Sequence, residues 1–236
     1  MVEIRNISFS YGSKPVLRDV SFVASPGEVV CIVGANGAGK TTLLKILSNL
    51  VIPDGGVIMC DGQDALSRPL RYRRQIGYLP ESPALYPDMT VRDYLTYRAE
   101  LKGEPMRRVR RRIGEAVEFC GIGEVLKSRI APLSLGMRKR VALADALLLR
   151  PRILLLDDFL SGMDLPMRDS AGEILSSSAA FSSVIVTGHD IDDFLRWATR
   201  ILVLKDGVIA CSVTASGSDV NVLRNRLAEA LRGGQR

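Results

Sequence analysis

Apolar and polar residues alternate along the first 25 positions of the chain. The stretches VEIRNISFSY and VLRDVSFVAS, with GSKP between them, read as two half-buried strands joined by a turn, because residues two apart share one face of a sheet. The pattern then changes. GEVVCIVG is an unbroken apolar run, the mark of a central strand buried on both faces. It leads into ANGAGKTTLLKILSNL, a glycine-rich turn followed by a helix. GGVIMCDG and RRQIGYLP are two more short strands bounded by turn residues.

From Pro83 to about Arg150 strand patterning stops. TVRDYLTYRAELKG opens with Thr90 and carries Asp93 three residues on, a capping-box start. PMRRVRRRIGEAVEFCG is helical with Pro105 near its first turn, and LSLGMRKRVALADALLLR is a third helix. Strands return at RILLLD, SVIVTG and RILVLKDG with helical segments between them, and SDVNVLRNRLAEALRGGQR is an amphipathic helix with a polar end. The expected fold class is α/β. The α/β core of strands and flanking helices spans residues 1–82 and 151–215. A helical subdomain occupies 83–150 and a C-terminal helix 216–236. No repeat or linker divides the chain, so residues 1–236 are expected to form one domain.

Composition narrows this little. A chain of 236 residues that is 47% hydrophobic and 25% charged suits one folded domain with a sizeable core. No stretch approaches the roughly 18 apolar residues of a membrane span. MVEIRNISFSYG is charged too early for a signal peptide, so the chain is expected neither to cross a membrane nor to be secreted. Cys31, Cys60, Cys120 and Cys211 form no close pair and read as reduced, packed thiols. The net charge of +6 is partly one run, Arg107 to Arg112, which reads as a solvated helix face. No nucleic-acid partner is expected from it.

Chemistry enters at GANGAGKTT, residues Gly34, Ala35, Asn36, Gly37, Ala38, Gly39, Lys40, Thr41 and Thr42. This is the spacing of a phosphate-binding loop, the mark of a P-loop NTPase core, and it lies between a strand and a helix as that loop requires. Glycines let backbone N–H groups converge on phosphate oxygens. Lys40 supplies a cation to the β and γ phosphates, Thr41 offers a hydroxyl to Mg²⁺, and the helix N-terminus favours the anion. Asp157, at the end of the buried run ILLL, is placed to hold Mg²⁺.

The order of these motifs resembles that of the ATP-binding subunits of ABC transporters, over nearly the whole chain. The resemblance implies a mixed sheet with flanking helices joined to an antiparallel β subdomain and a helical insertion, and ATP and Mg²⁺ as ligands, with Lys40 in the Walker A loop and Asp157 in the Walker B strand. Tyr11 sits where the family places an aromatic that stacks on adenine. LSLGM, Leu133 to Met137, matches the family signature, with Ser134 and Gly136 retained; SGMD, Ser161 to Asp164, matches the D-loop. His189, the only histidine, falls at the switch histidine. Glu81 stands where the family has the Q-loop glutamine and would keep an oxygen ligand for Mg²⁺. Family members work as dimers that sandwich two ATP molecules, each between the Walker A loop of one subunit and the signature of the other. The implied partners are therefore a second ATP-binding subunit, the same or different, and a separate integral-membrane permease. The docking surface is expected around Glu81 to Lys102. The implied location is cytoplasmic, peripheral on the inner face of the cell membrane.

Departures from the pattern carry as much information. Leu135 replaces a signature glycine and Met137 the glutamine. GYLPE…LYPDMTVRDYL resembles the version found in exporters of the drug, polysaccharide and gliding-motility kind. Walker B continues as Asp157-Asp158-Phe159-Leu160 where the family has Asp-Glu-Pro-Thr. Asp158 is the expected water-orienting carboxylate, and it falls short of a glutamate by about 1.5 Å, one C–C bond. The expectation is an ATPase subunit of an exporter, slowed by Asp158, with Asp158, His189 and Glu81 at the catalytic site. The alternatives are an ATP-binding regulatory half paired to a hydrolysing subunit, and an ABC ATPase without a transport role.

Overall fold

The computed structural model describes residues 1–215 and 219–232. Strands β1 (Val2–Tyr11) and β2 (Lys14–Ala24) form the expected hairpin. Its turn is shorter than GSKP, because Tyr11 pairs with Lys14 and Ser10 with Pro15, which leaves Gly12 and Ser13 to reverse the chain. With β4 (Gly55–Cys60) and β5 (Gln63–Asp64) they make a four-stranded antiparallel sheet in the order β2-β1-β4-β5.

The second sheet has six strands. They are β3 (Val29–Val33), β6 (Ile76–Leu79), β7 (Ile153–Leu156), β8 (Ser183–Gly188), β9 (Arg200–Lys205) and β10 (Val208–Thr214), in the order β10-β9-β3-β8-β7-β6. The first five pair in parallel, and β10 runs antiparallel along β9. Both faces are covered, which is why these strands read as continuous apolar runs. Val29, Cys31 and Val33 face one core, while Val30 and Ile32 face the other. The second core is closed by the antiparallel sheet and by α1 (Lys40–Leu47), and Tyr72 of α2 (Pro69–Arg73) seals it, its hydroxyl donating to the Leu47 carbonyl at 2.8 Å. Opposite lie α3 (Val91–Leu101), α4 (Met106–Phe119), α5 (Leu135–Leu147), α6 (Leu165–Ala179) and α7 (Val220–Arg232).

Helix starts follow local chemistry. Thr90 caps α3 by accepting from the Asp93 N–H at 3.1 Å, as the capping box predicts. Ser134 caps α5 through the Met137 N–H, and Asp164 caps α6 through the Met167 N–H. Each such cap stabilises by about 1 kcal/mol. The helical insertion is tied internally by the buried Asp145 of α5, which takes Arg98 Nε of α3 at 3.0 Å and, just past the end of α3, Lys102 Nζ at 2.7 Å. Two elements differ from the sequence reading. The β8–β9 connection was expected to be helical but is a series of turns, with the Phe194 and Trp197 N–H groups reaching back only three residues. Strand β10 was not singled out, because its alternating VIACSVT is short and follows the turn at Asp206-Gly207 directly.

Candidate functional site

Strand β3 delivers residues 34–39 to the C-terminal edge of the parallel strands, where open α/β sheets present their binding crevices. Gly39 begins α1 at φ +105°, and a Cβ there would lie 2.7 Å from Leu17 of β2, so only glycine fits. It offers no side-chain cap. The first N–H groups of α1 are left free of one, as an anion site requires. The Lys40 ammonium lies back over its own loop, donating to the Gly34 carbonyl at 2.7 Å and that of Ala35 at 3.0 Å. Burial pushes its pKa down, against the opposing pull of Asp158, Asp157 and Glu81.

The loop forms one wall of a cavity of about 440 Å³. Asn36, Gly37, Gly39, Lys40, Thr41, Thr42, Glu81, Asp157, Asp158 and His189 all line it, joined by Val16 of β2. Thus the expected loop, Walker B acids, Q-loop acid and switch histidine converge. Ala38 is buried beneath the loop in the second core.

Asp157, at the end of β7, is buried. Its Oδ1 accepts from the Thr41 hydroxyl at 3.2 Å and the Thr187 hydroxyl at 2.8 Å. Its Oδ2 is buried with no hydrogen-bond partner. Buried polar atoms are rarely left so, and an oxygen acceptor in a phosphate-binding cleft is what a hard cation completes. The donor set of Asp157, Thr41 and Glu81 fits Mg²⁺, which keeps waters and phosphate oxygens and takes one or two carboxylates. Among the described residues no group of three or more His, Cys, Asp or Glu could enclose a metal alone.

Asp158 adopts a left-handed backbone, φ +45°, which Asp tolerates better than most residues. Its N–H donates to Thr187 Oγ1 at 2.9 Å, and its carboxylate lies 3.4 Å from His189 Nδ1. Thr187 therefore ties both acids to the end of β8. Sequence reasoning missed this residue, whose one signal is a hydroxyl inside the apolar run SVIVTG. The next side chain, Phe159, is fully buried and anchors the turn in the core.

Gly34 is outside the lining too, packed where a Cβ would meet the Leu204 carbonyl at 2.3 Å, and three more predicted residues lie elsewhere. Tyr11 stands at the hairpin tip, 52% exposed, edge-on to Phe9 with ring centroids 4.8 Å apart; it does not line the cavity. Ser134 is exposed at the start of α5 and is also outside the cavity. Gly136 is buried, and a Cβ there would meet Met167 Sδ at 2.3 Å. Leu135, in place of the signature glycine, is exposed and rests against Gly162. Glu81 borders both the main cavity and a second of about 280 Å³, lined among others by Leu85, Ile130, Leu135 and Lys139. Lys139 was another omission of the sequence reading. Its ammonium donates to the carbonyls of Asp158, Phe159 and Ser161.

Comparison with known proteins adds four findings. The sequence profile of the family described as "ABC transporter" matches residues 17–161. The Uncharacterized ABC transporter ATP-binding protein YxlF of Bacillus subtilis (strain 168) is 35% identical over 210 residues, covering 89% of this chain and 70% of that protein. The Spermidine/putrescine import ATP-binding protein PotA of Haemophilus influenzae is 32% identical over 213 residues, and the chain spans only 57% of its length. Among solved structures, the dimeric structure of MJ0796, a bacterial ABC transporter cassette, has a TM-score of 0.81 at 26% identity, over 92% of this chain and 100% of that one.

Proposed function

The chain belongs to the ABC transporter family of ATP-binding proteins, and from that premise we propose that it binds ATP with Mg²⁺ in the β3–α1 cavity, hydrolyses it slowly, and powers export through a separate membrane permease. The observation that carries this reading is the unpartnered Asp157 Oδ2, buried at the end of β7 beside the Thr41 hydroxyl, on the cavity that Lys40 and the glycine loop also line.

Lys40 leaves the carbonyls of Gly34 and Ala35 for the β and γ phosphates. Gly34, Asn36, Gly37, Ala38, Gly39 and Thr42 supply the surrounding cradle. Thr41, Asp157 and Glu81 would hold Mg²⁺, which when bound neutralises phosphate charge. Tyr11 supplies a stacking face for adenine, and its exposure supports that use. Asp158 orients the attacking water and His189, 3.4 Å away, keeps that carboxylate in place. Slowness follows from reach, since the Asp158 carboxylate ends about one C–C bond, ~1.5 Å, short of a glutamate's.

Ser134 and Gly136 lie outside their own chain's cavity, and that separation supports a role toward the nucleotide of a second subunit. The dimeric state of MJ0796 supports the same arrangement. No helix among the described residues is long and apolar enough to cross a membrane. The permease is proposed to be a separate chain, with this one peripheral on the inner face. The surface from Glu81 to Lys102 is proposed to dock it. There Tyr86, Tyr97 and Leu101 are exposed, beside a groove of about 300 Å³ formed with Leu70 and Leu149. Export is supported by the Q-loop sequence around Glu81; PotA, by its name, serves import. A second reading, a regulatory half beside a hydrolysing partner, is favoured by one observation, the bulky exposed Leu135 at the face that would meet ATP.

Calorimetric titration with ATP-Mg²⁺ tests the binding site. The wild type should bind and Lys40→Ala should not at micromolar nucleotide; equal affinity would refute the assignment.

A further inference from the structure

We infer that Lys139 is a positioning residue for hydrolysis, holding from α5 the backbone turn that presents Asp158. The inference rests on Asp158 as the water-orienting carboxylate. Lys139 is 4% exposed. An ammonium has three donors, and each finds a carbonyl of the same turn: Asp158 at 3.1 Å, Phe159 at 2.9 Å and Ser161 at 2.6 Å. Among the described residues it makes no salt bridge. Burying a cation this way is costly unless its hydrogen bonds are made, and an apolar side chain of similar volume would fill the space with less desolvation.

What the ammonium does is gather carbonyls. Asp158 is in a left-handed conformation, and the chain tightens further as the Ser161 N–H reaches back to the Asp158 carbonyl at 3.2 Å. Oxygens turned toward one point repel each other unless a cation sits among them. The two sides of Asp158 are then held by different elements. Its N–H is fixed by Thr187 of β8 and its carbonyl by Lys139 of α5, which leaves only side-chain torsions to place the carboxylate. Lys139 follows the exposed cap Ser134 by five residues on one helix. A shift of the α5 N-terminus is thereby carried to the turn beneath Asp158. In the dimer proposed above, that N-terminus meets the partner's nucleotide, so closure and the reach of Asp158 become coupled through this one ammonium.

The test is steady-state phosphate release and ATP titration with the full chain, comparing wild type, Lys139→Met and Lys139→Arg. A misplacement near 1 Å can cost about a hundredfold in rate. Lys139→Met should lose at least about tenfold in kcat, with ATP affinity changed less than about twofold. Lys139→Arg keeps the charge and donors in a different geometry, and it should recover part of the loss. If Lys139→Met does not fold, Lys139→Gln, which retains two N–H donors, takes its place, with a smaller fall in kcat and the same unchanged affinity. Turnover equal to wild type in these variants would overturn the inference, as would equal losses in kcat and in affinity. An inactive wild type would remove the hydrolytic reading and this inference together. An active wild type indifferent to Lys139 would remove the inference alone.

Discussion

Replacing Asp158 by Glu separates reach from backbone fit, because the two respond with opposite signs. Extending the side chain by one C–C bond carries the carboxylate about 1.5 Å further. A catalytic group misplaced by about 1 Å can cost about a hundredfold. Recovering part of that misplacement should raise turnover about tenfold, with little change in ATP affinity. The backbone works against the change. Asp158 sits at φ +45°, a region that costs most residues about 1–2 kcal/mol and that Asp visits more readily. Asp158→Glu should therefore be less stable by about 1 kcal/mol, a fall of about 2–4 °C in Tm for a chain of this size. Phosphate release and a thermal melt on one preparation read both effects. A faster but less stable variant bears the reasoning out. A slower one would refute it, showing that the turn anchored by Phe159 has adapted to the shorter acid.

Two further outcomes test the proposed adenine contact and the threonine that ties the two acids. Tyr11→Ala should weaken ATP about 5- to 100-fold, from the 1–3 kcal/mol typical of base–aromatic stacking, while Tyr11→Phe should be mild; titration calorimetry reads both, and unchanged affinity in the alanine variant would make Tyr11 a packing residue of the hairpin. Thr187→Val removes the donor to Asp157 Oδ1 and the acceptor for the Asp158 N–H at once. It should cost about 1–3 kcal/mol, seen as a Tm lower by about 2–4 °C per kcal/mol.

Much of this site was legible in the sequence, for reasons that are local. A phosphate loop needs glycines and a lysine at fixed spacing, and Gly34 to Thr42 carry them in nine consecutive residues. The buried strand ending in Asp157 reads as a site because the phosphate loop stands beside it in the pattern; alone, an acid closing an apolar run reads as well as a simple strand end. The caps at Thr90 and Ser134 are equally local. What stayed hidden depends on approach between distant segments. Thr187 reaches Asp157 and Asp158 from 30 and 29 positions away, and Lys139 reaches the turn of Asp158 from 19. Nothing in GMRKRVAL distinguishes Lys139, the buried cation, from its neighbours Arg138 and Arg140. The left-handed turn at Asp158 is likewise invisible until the Thr187 and Lys139 contacts that hold it are seen. The β8–β9 segment was expected to be helical because it lies between strands of an alternating α/β pattern, yet its bonds are those of turns, with one helical bond, from the Ala198 N–H to the Phe194 carbonyl.

The central claim is that the acid after Asp157 turns an ATP-binding site into a working, slow ATPase. Asp158→Asn removes that charge at nearly equal volume and leaves Lys40, Thr41 and Asp157 untouched. Steady-state phosphate release, measured with and without the permease, should show slow turnover in the wild type and none in Asp158→Asn, which should retain bound ATP. Equal turnover in the two proteins would contradict the account and leave the chain a regulatory half that depends on a catalytic partner.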